Sequence, residues 1–264
     1  MSQIFLFSLW RARGRIVALT VGFALFELIV ALSYASVDQN AVRQLVDSLP
    51  PALVALAGSS DLASPGGYLG SAYAHPVALT LQGALVVSMA TALARDLDSG
   101  QAELILSRPL PVWAWVFAQW AALAVGLAIV ATGGFVGGLV GVSTVGALAS
   151  VDAAALAAVS AGGYLMFLAF GGIALLVATL APSGGRAVGW AAGIVLVAYA
   201  LDYLADIWTI AEPFGPLSPF HYYDPGVILS QGRLPATDAL VLALVAACSA
   251  ALAHLVFTRR ELAR

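Results

Sequence analysis

"ARDLDSGQAELILSRPLP", residues 94 to 111, is a polar island in a chain that is 61% hydrophobic. The 264 residues carry 11 basic and 14 acidic side chains, and five of them fall within these 18 positions: Arg95, Asp96, Asp98, Glu103 and Arg108. How the island is read depends on the solvent around it. With 9% charged residues and a mean hydropathy of +0.96, the chain has too little polar surface to cover a water-soluble globule, so its solvent is the bilayer. The island then joins two membrane spans, and the spans follow on either side of it.

A hydrocarbon core about 30 Å thick needs roughly 20 apolar residues of helix. Six stretches qualify, at residues 16–37, 76–94, 112–142, 153–181, 187–208 and 239–257. The fold expected is therefore all-α and polytopic. The third and fourth stretches exceed a straight crossing, which calls for tilt or an extension beyond the lipid. "IFLFSLW" (Ile4 to Trp10) runs into "RARGR", so residues 1–15 read as an interfacial helix with apolar rings in lipid and arginines among headgroups. The first apolar run is too long for a secretory signal, so it reads as an uncleaved anchor.

Arginine placement orients the chain, because short basic loops stay cytoplasmic. All basic residues are Arg. Arg11, Arg13, Arg15, Arg95, Arg108, Arg186, Arg259, Arg260 and Arg264 fall on one side, and Arg43 and Arg233 on the other. Both termini and the island (95–111) are thus expected in the cytoplasm, within a plasma or bacterial inner membrane, and residues 38–75 and 209–238 outside. In the first outer segment, Asn40 is the expected helix cap, with Val42, Leu45, Val46 and Leu49 at helical spacing, so amphipathic helices resting on the outer surface are expected. The second holds five prolines between Glu212 and Pro235 and reads as an ordered, turn-rich cap or re-entrant element.

Within the island, Asp98 followed by Gln101 forms a capping-box pattern, Arg108 suits a helix C-terminus and Pro109 stops it, so a short helix is expected over residues 98 to 107. A mere turn needs about four residues. Here the residues resemble a family. The order of an acidic residue, Gly, a Glu-Leu-aliphatic run and Ser-x-Pro is similar to the cytosolic segment of ABC-2 type transporter permeases. "SLPPALVALAG" (48–58) and "PGGYLG" (65–70) resemble that family's outer segment, "LSPFHYYDP" (217–225) its loop before helix six, and "FTRREL" (257–262) its C-terminal signature. The sequence departs from the pattern after the proline. "LPVWAWVFAQW" stands where relatives often carry basic residues and a Gly-Lys pair.

The resemblance implies the membrane-spanning permease subunit of an ABC exporter. The island would be a coupling helix seated on a separate ATPase subunit, with Asp96, Ser99, Gly100, Glu103, Arg108 and Pro109 as contacts or shape determinants. It also implies two ATPase subunits per complex, a second permease copy or a related permease, and ATP and Mg on the ATPase rather than on this chain. Absence of Lys agrees, because a P-loop needs its lysine. An ATP-independent secondary transporter or channel is the alternative, and an intramembrane enzyme or assembly factor a third class. No catalytic set such as Ser-His-Asp or H-E-x-x-H is present, no cofactor is expected, and nothing suggests nucleic acid.

Several residues fall outside that frame. Glu27 lies midway through the first span, where a carboxylate is costly and hence paired, protonated or cavity-facing, so Glu27, with Tyr34 on its face, is a candidate for the substrate pathway or dimer seam. Asp202 and Asp206, one turn apart near His221 and Asp224, have the look of metal ligands but sit where water reaches them, so no metal site is expected. Gly133, Gly134, Gly137, Gly138 and Gly141, and Gly162, Gly163, Gly171 and Gly172, recur at small-x-x-x-small spacing, expected mainly for packing within the chain. Cys248 is alone, so no internal disulfide can form.

Overall fold

A computed structural model describes residues 2–50, 64–100, 112–146 and 151–262. The described residues form helices and no strands: α1 (Ser2–Ser33), α2 (Gln39–Ser48), α3 (Pro65–Ala74), α4 (Pro76–Ala90), α5 (Ala92–Asp98), α6 (Val112–Thr144), α7 (Ala153–Leu180), α8 (Gly184–Ile207), α9 (Pro225–Gln231) and α10 (Ala236–Leu262). Six helical units are long and apolar enough to cross a bilayer, as the composition requires.

Each span begins with local chemistry that the apolar runs alone do not reveal. Asp152 accepts the Ala154 N–H at the start of α7, and Ser183 the Arg186 N–H at the start of α8. In the second span, His75 Nδ1 accepts the Val77 N–H and Pro76 opens α4 at a position where a missing donor costs nothing. The span breaks again at the fully buried Thr91, whose hydroxyl donates to the Val87 carbonyl (2.6 Å), before α5 carries it on to Asp98.

Some boundaries differ from the sequence reading. The interfacial helix and the first span are one unbroken helix of 32 residues, with no end near residue 15. At 1.5 Å per residue α1 is about 48 Å long and outruns the hydrocarbon core. Asp38, not Asn40, caps α2, accepting the Asn40 and Ala41 N–H groups. The second outer helix, α3, does not rest on the surface. Its Leu69, Gly70, Ala72 and Tyr73 are buried, and a Cβ on Gly70 would stand 3.1 Å from the Gly226 Cα, so α3 and α9 meet backbone to backbone. Most consequentially, no helix starts at Asp98. This residue ends α5, and Gly100 follows with φ +73°, a left-handed stop that suits glycine. Residues 101–107 of the expected helix lie outside the described residues, as do Glu103, Arg108 and Pro109.

The core is organised around α1 against α6. The glycines of α6 have no side chain to spare: a Cβ on Gly133 would lie 2.6 Å from Thr20 Cγ2 and 2.9 Å from the Thr20 carbonyl oxygen, and one on Gly137 would strike the Ala24 carbonyl oxygen. Gly171 and Gly172 of α7 similarly admit Leu123 and the Ala246 carbonyl, and Gly162 and Gly163 seat the ring of Tyr223. The turn-rich outer segment is ordered, with Phe220 between Phe170 (5.0 Å) and Tyr199 (5.5 Å) and the Ser218 hydroxyl on the Ala198 carbonyl (2.9 Å). Replacing Gly137 by Ala is expected to destabilise the chain by about 1–3 kcal/mol. Gly14→Ala, with nothing within 4 Å of the new methyl, is expected to be neutral or slightly stabilising. Thermal unfolding of both variants in detergent measures the difference.

Candidate functional site

At the end of the bundle holding the N-terminus, α5 is fastened before the polar segment leaves it. Asp96 points inward, 4% exposed, and accepts a forked pair of hydrogen bonds from Arg11 of α1, Nη2 to Oδ1 at 2.8 Å and Nη1 to Oδ2 at 3.0 Å. Two parallel charged hydrogen bonds fix direction as well as distance. Asp98, two residues and about half a turn further, leaves α5 on the other side and accepts the Gly184 N–H at the start of α8. Gly184 is itself required there, because a Cβ would lie 2.6 Å from Arg95 Cγ and 2.9 Å from Arg95 Cα.

A third strap runs deeper. Gln119 of α6 donates to the Met89 carbonyl (2.8 Å) and accepts from Ser8 of α1 (3.1 Å). This gives one departure from the family pattern a task, since Gln119 stands in the stretch "LPVWAWVFAQW". In the same stretch Trp115 is buried edge-on to Phe257 (6.0 Å), while Trp113 is 44% exposed.

Of the residues assigned to the coupling segment, the structure brings Asp96, Ser99 and Gly100 together at the tip of α5. Their roles separate. Asp96 is committed to Arg11 and shapes the element from inside, whereas Ser99 and Gly100 are exposed. Arg11, Asp98, Gln119 and Gly184 had no place in the sequence-based set, and the Arg11–Asp96 pair spans 85 positions.

Glu27 sits elsewhere, in the interior of the bundle. It is 0% exposed, and neither carboxylate oxygen finds a hydrogen-bond partner among the described residues. Around it lie buried polar groups from other elements: Ser160 of α7 donates to the Tyr73 hydroxyl of α3 (3.2 Å), and Gln82 of α4 is 3% exposed. Burial pushes the Tyr223 phenol well above its usual range, and the nearby Tyr73, Glu27 and Asp224 add to that shift. Tyr34 is not part of this cluster. It lies seven residues on, about 10 Å along the axis, in a turn beyond α1 with its ring on Tyr68 (5.4 Å). Asp202 and His221 approach to 3.9 Å, and the described residues contain no group of three or more His, Cys, Asp or Glu side chains suited to a metal ion.

Six helices long and apolar enough to cross a bilayer make this a multi-pass membrane protein. The chain belongs to the ABC-2 family: the model for the ABC-2 family transporter protein matches residues 10–262, nearly its full length. Permeases of this family associate with ABC ATPase subunits. Comparison with curated proteins and with solved structures returns no match.

If the fork holds α5 to α1, removing one partner leaves an unpaired charge in a partly buried place. Asp96→Ala is expected to destabilise by about 2 kcal/mol. Adding Arg11→Ala should cost less than the sum of the single changes, with a coupling of about 1–2 kcal/mol. Thermal unfolding of the two single variants and the double variant in detergent measures it.

Proposed function

We propose that this chain is the permease subunit of an ABC exporter, driven by two ATPase subunits that grip the segment beyond Gly100 on the cytoplasmic side. The observation supporting this reading is that α5, from which that segment departs, is fastened by Asp96 to α1 and by Asp98 to α8. A push on the segment therefore reaches two spans at once. ATP and Mg belong to the partner, and ATP drives the cycle only by favouring one arrangement of the spans over another. In this reading both termini lie in the cytoplasm of a plasma or bacterial inner membrane. Glu103, Arg108 and Pro109 complete the docking surface with Ser99 and Gly100, and Asp96 holds its base.

A second permease copy, identical or related, completes the pathway. The helix best suited to meet it is α8, of which only Gly184, Ala187 and Ala191 are buried. Gly185, Gly189 and Gly193, four residues apart, have nothing within 4 Å, in contrast to the occupied glycines of α6. Glu27 is placed on the pathway side of α1 as a group that becomes accessible when α1 moves, and Tyr34 at its outer mouth. An ATP-independent transporter would need ionisable groups along several spans.

Two experiments test the reading. Glu103→Arg and Gly100→Pro, the second forcing φ to about −65° where the chain has +73°, are expected to abolish stimulation of the partner ATPase while leaving the permease folded. Normal stimulation with normal assembly overturns the docking role. In a Cys248→Ala background, Gly189→Cys is expected to cross-link two permease copies under mild oxidation, and the same change at Gly14, on α1, is not.

A further inference from the structure

Arg15 Nη1 of α1 donates to the Ser88 carbonyl of α4 (3.4 Å), and Arg95 Nη2 of α5 donates to the same oxygen. One neutral carbonyl thus holds two guanidinium groups. The nearby acids are spent, Asp96 on Arg11 and Asp98 on the start of α8. Among the described residues neither Arg15 nor Arg95 has a carboxylate within 4.0 Å, and both side chains are exposed. Two like charges converging without a counterion form an anion site, and planar forks match the oxygens of a phosphate.

The surroundings identify the bearer of that phosphate. Arg15 stands two residues before Val17, at the level where the exposed row Val17, Val21, Leu25 and Ile29 begins on the other side of α1. Trp10, 60% exposed, carries the Arg13 guanidinium on its ring at 4.1 Å, an arrangement suited to headgroup level. Two packed helices leave a groove on their outer side, and between α1 and α4 it runs from Ser88 past the half-buried Leu81, Gly22 and Leu19. Leu19 and Leu81 pack against the core there, and Gly22 adds no side chain, with Leu81 the nearest one at 3.7 Å from a Cβ position. A small polar cleft lined by Ser8, Arg11, Arg15 and Gln119 adjoins its head. We propose that this groove binds an anionic phospholipid, its phosphate held by Arg15 and Arg95 and one acyl chain lying along Leu19, Gly22 and Leu81. A basic pocket between spans that continues into an apolar groove selects a lipid over a free anion. The proposal rests on the reading that this end of the bundle lies at the cytoplasmic leaflet.

The full chain, delipidated in detergent, is titrated with dioleoylphosphatidylglycerol or dioleoylphosphatidylcholine and followed by native mass spectrometry and thermal unfolding. The expected result is a preference of about tenfold or more for the anionic lipid. R15Q/R95Q should lose that preference, R15K/R95K should keep part of it, and R43Q/R233Q, at the opposite end, should leave it intact. Should R15Q/R95Q fail to fold, R15Q alone is expected to lower the preference. Equal binding of both lipids by the unaltered chain overturns the proposal, as does a preference surviving in R15Q/R95Q or, failing that variant, R15Q. Complete displacement of the lipid by inorganic phosphate also overturns it, because the groove would then contribute nothing. Detergent solution has no sidedness, so a wrong orientation leaves these results unchanged and shows instead in accessibility labelling of the termini.

Discussion

In a bilayer, apolar side chains gain little by leaving lipid for one another, so helices are held by contact close enough for backbone to meet backbone. The glycine face of α6 supplies that contact. Because Gly133, Gly137 and Gly141 present no side chains, the carbonyls of Thr20, Ala24 and Leu28 on α1 come against them, into space that a Cβ would need. The position of α1 follows from this seam. Once α1 is set, Arg11 reaches Asp96 at one end and Phe23 meets the edge of Tyr73 further along (5.9 Å).

Helix α1 is therefore the member shared by both functional regions. Near its start it is tied to α5 by the arginine fork and to α6 by Ser8. Towards its outer end Ser33 and the Tyr68 hydroxyl lie 3.0 Å apart, joining it to α3, which in turn meets α9. Glu27 lies between the two ends, buried and without a hydrogen-bond partner among the described residues. Keeping an ionisable group dry costs free energy, so the contacts that hold α1 at both extremities offset a tendency of the surrounding elements to open towards water.

The architecture was legible because it is written in runs: apolar stretches of bilayer length mark spans, and clustered prolines mark the folded outer cap. Local start and stop signals were legible less faithfully. Asp98 looks like a helix start with Gln101 behind it, yet Gly100 in a left-handed conformation ends the preceding helix and leaves Asp98 free to serve α8. The same ambiguity let Asn40 stand for Asp38, two residues that can both cap. What no pattern carried was partnership across the chain. Arg11 and Asp96 are separated by most of two spans, and neither has a neighbour in sequence that announces the other. Glycine spacing announced close contact but not its partner, and only the fold distinguishes the occupied stripe of α6 from the open one on α8.

Helix α8 owes its place to its two tips. At one tip Gly184 lies under Arg95 with Asp98 on its first amide, and towards the other Ala198, Tyr199 and Ala205 engage the turn-rich segment at Ser218, Phe220 and Gly215. Between them little of its surface is committed to its own chain. The bare flank between these holds can therefore take lipid or another helix as its neighbour without disturbing the contacts that seat α8.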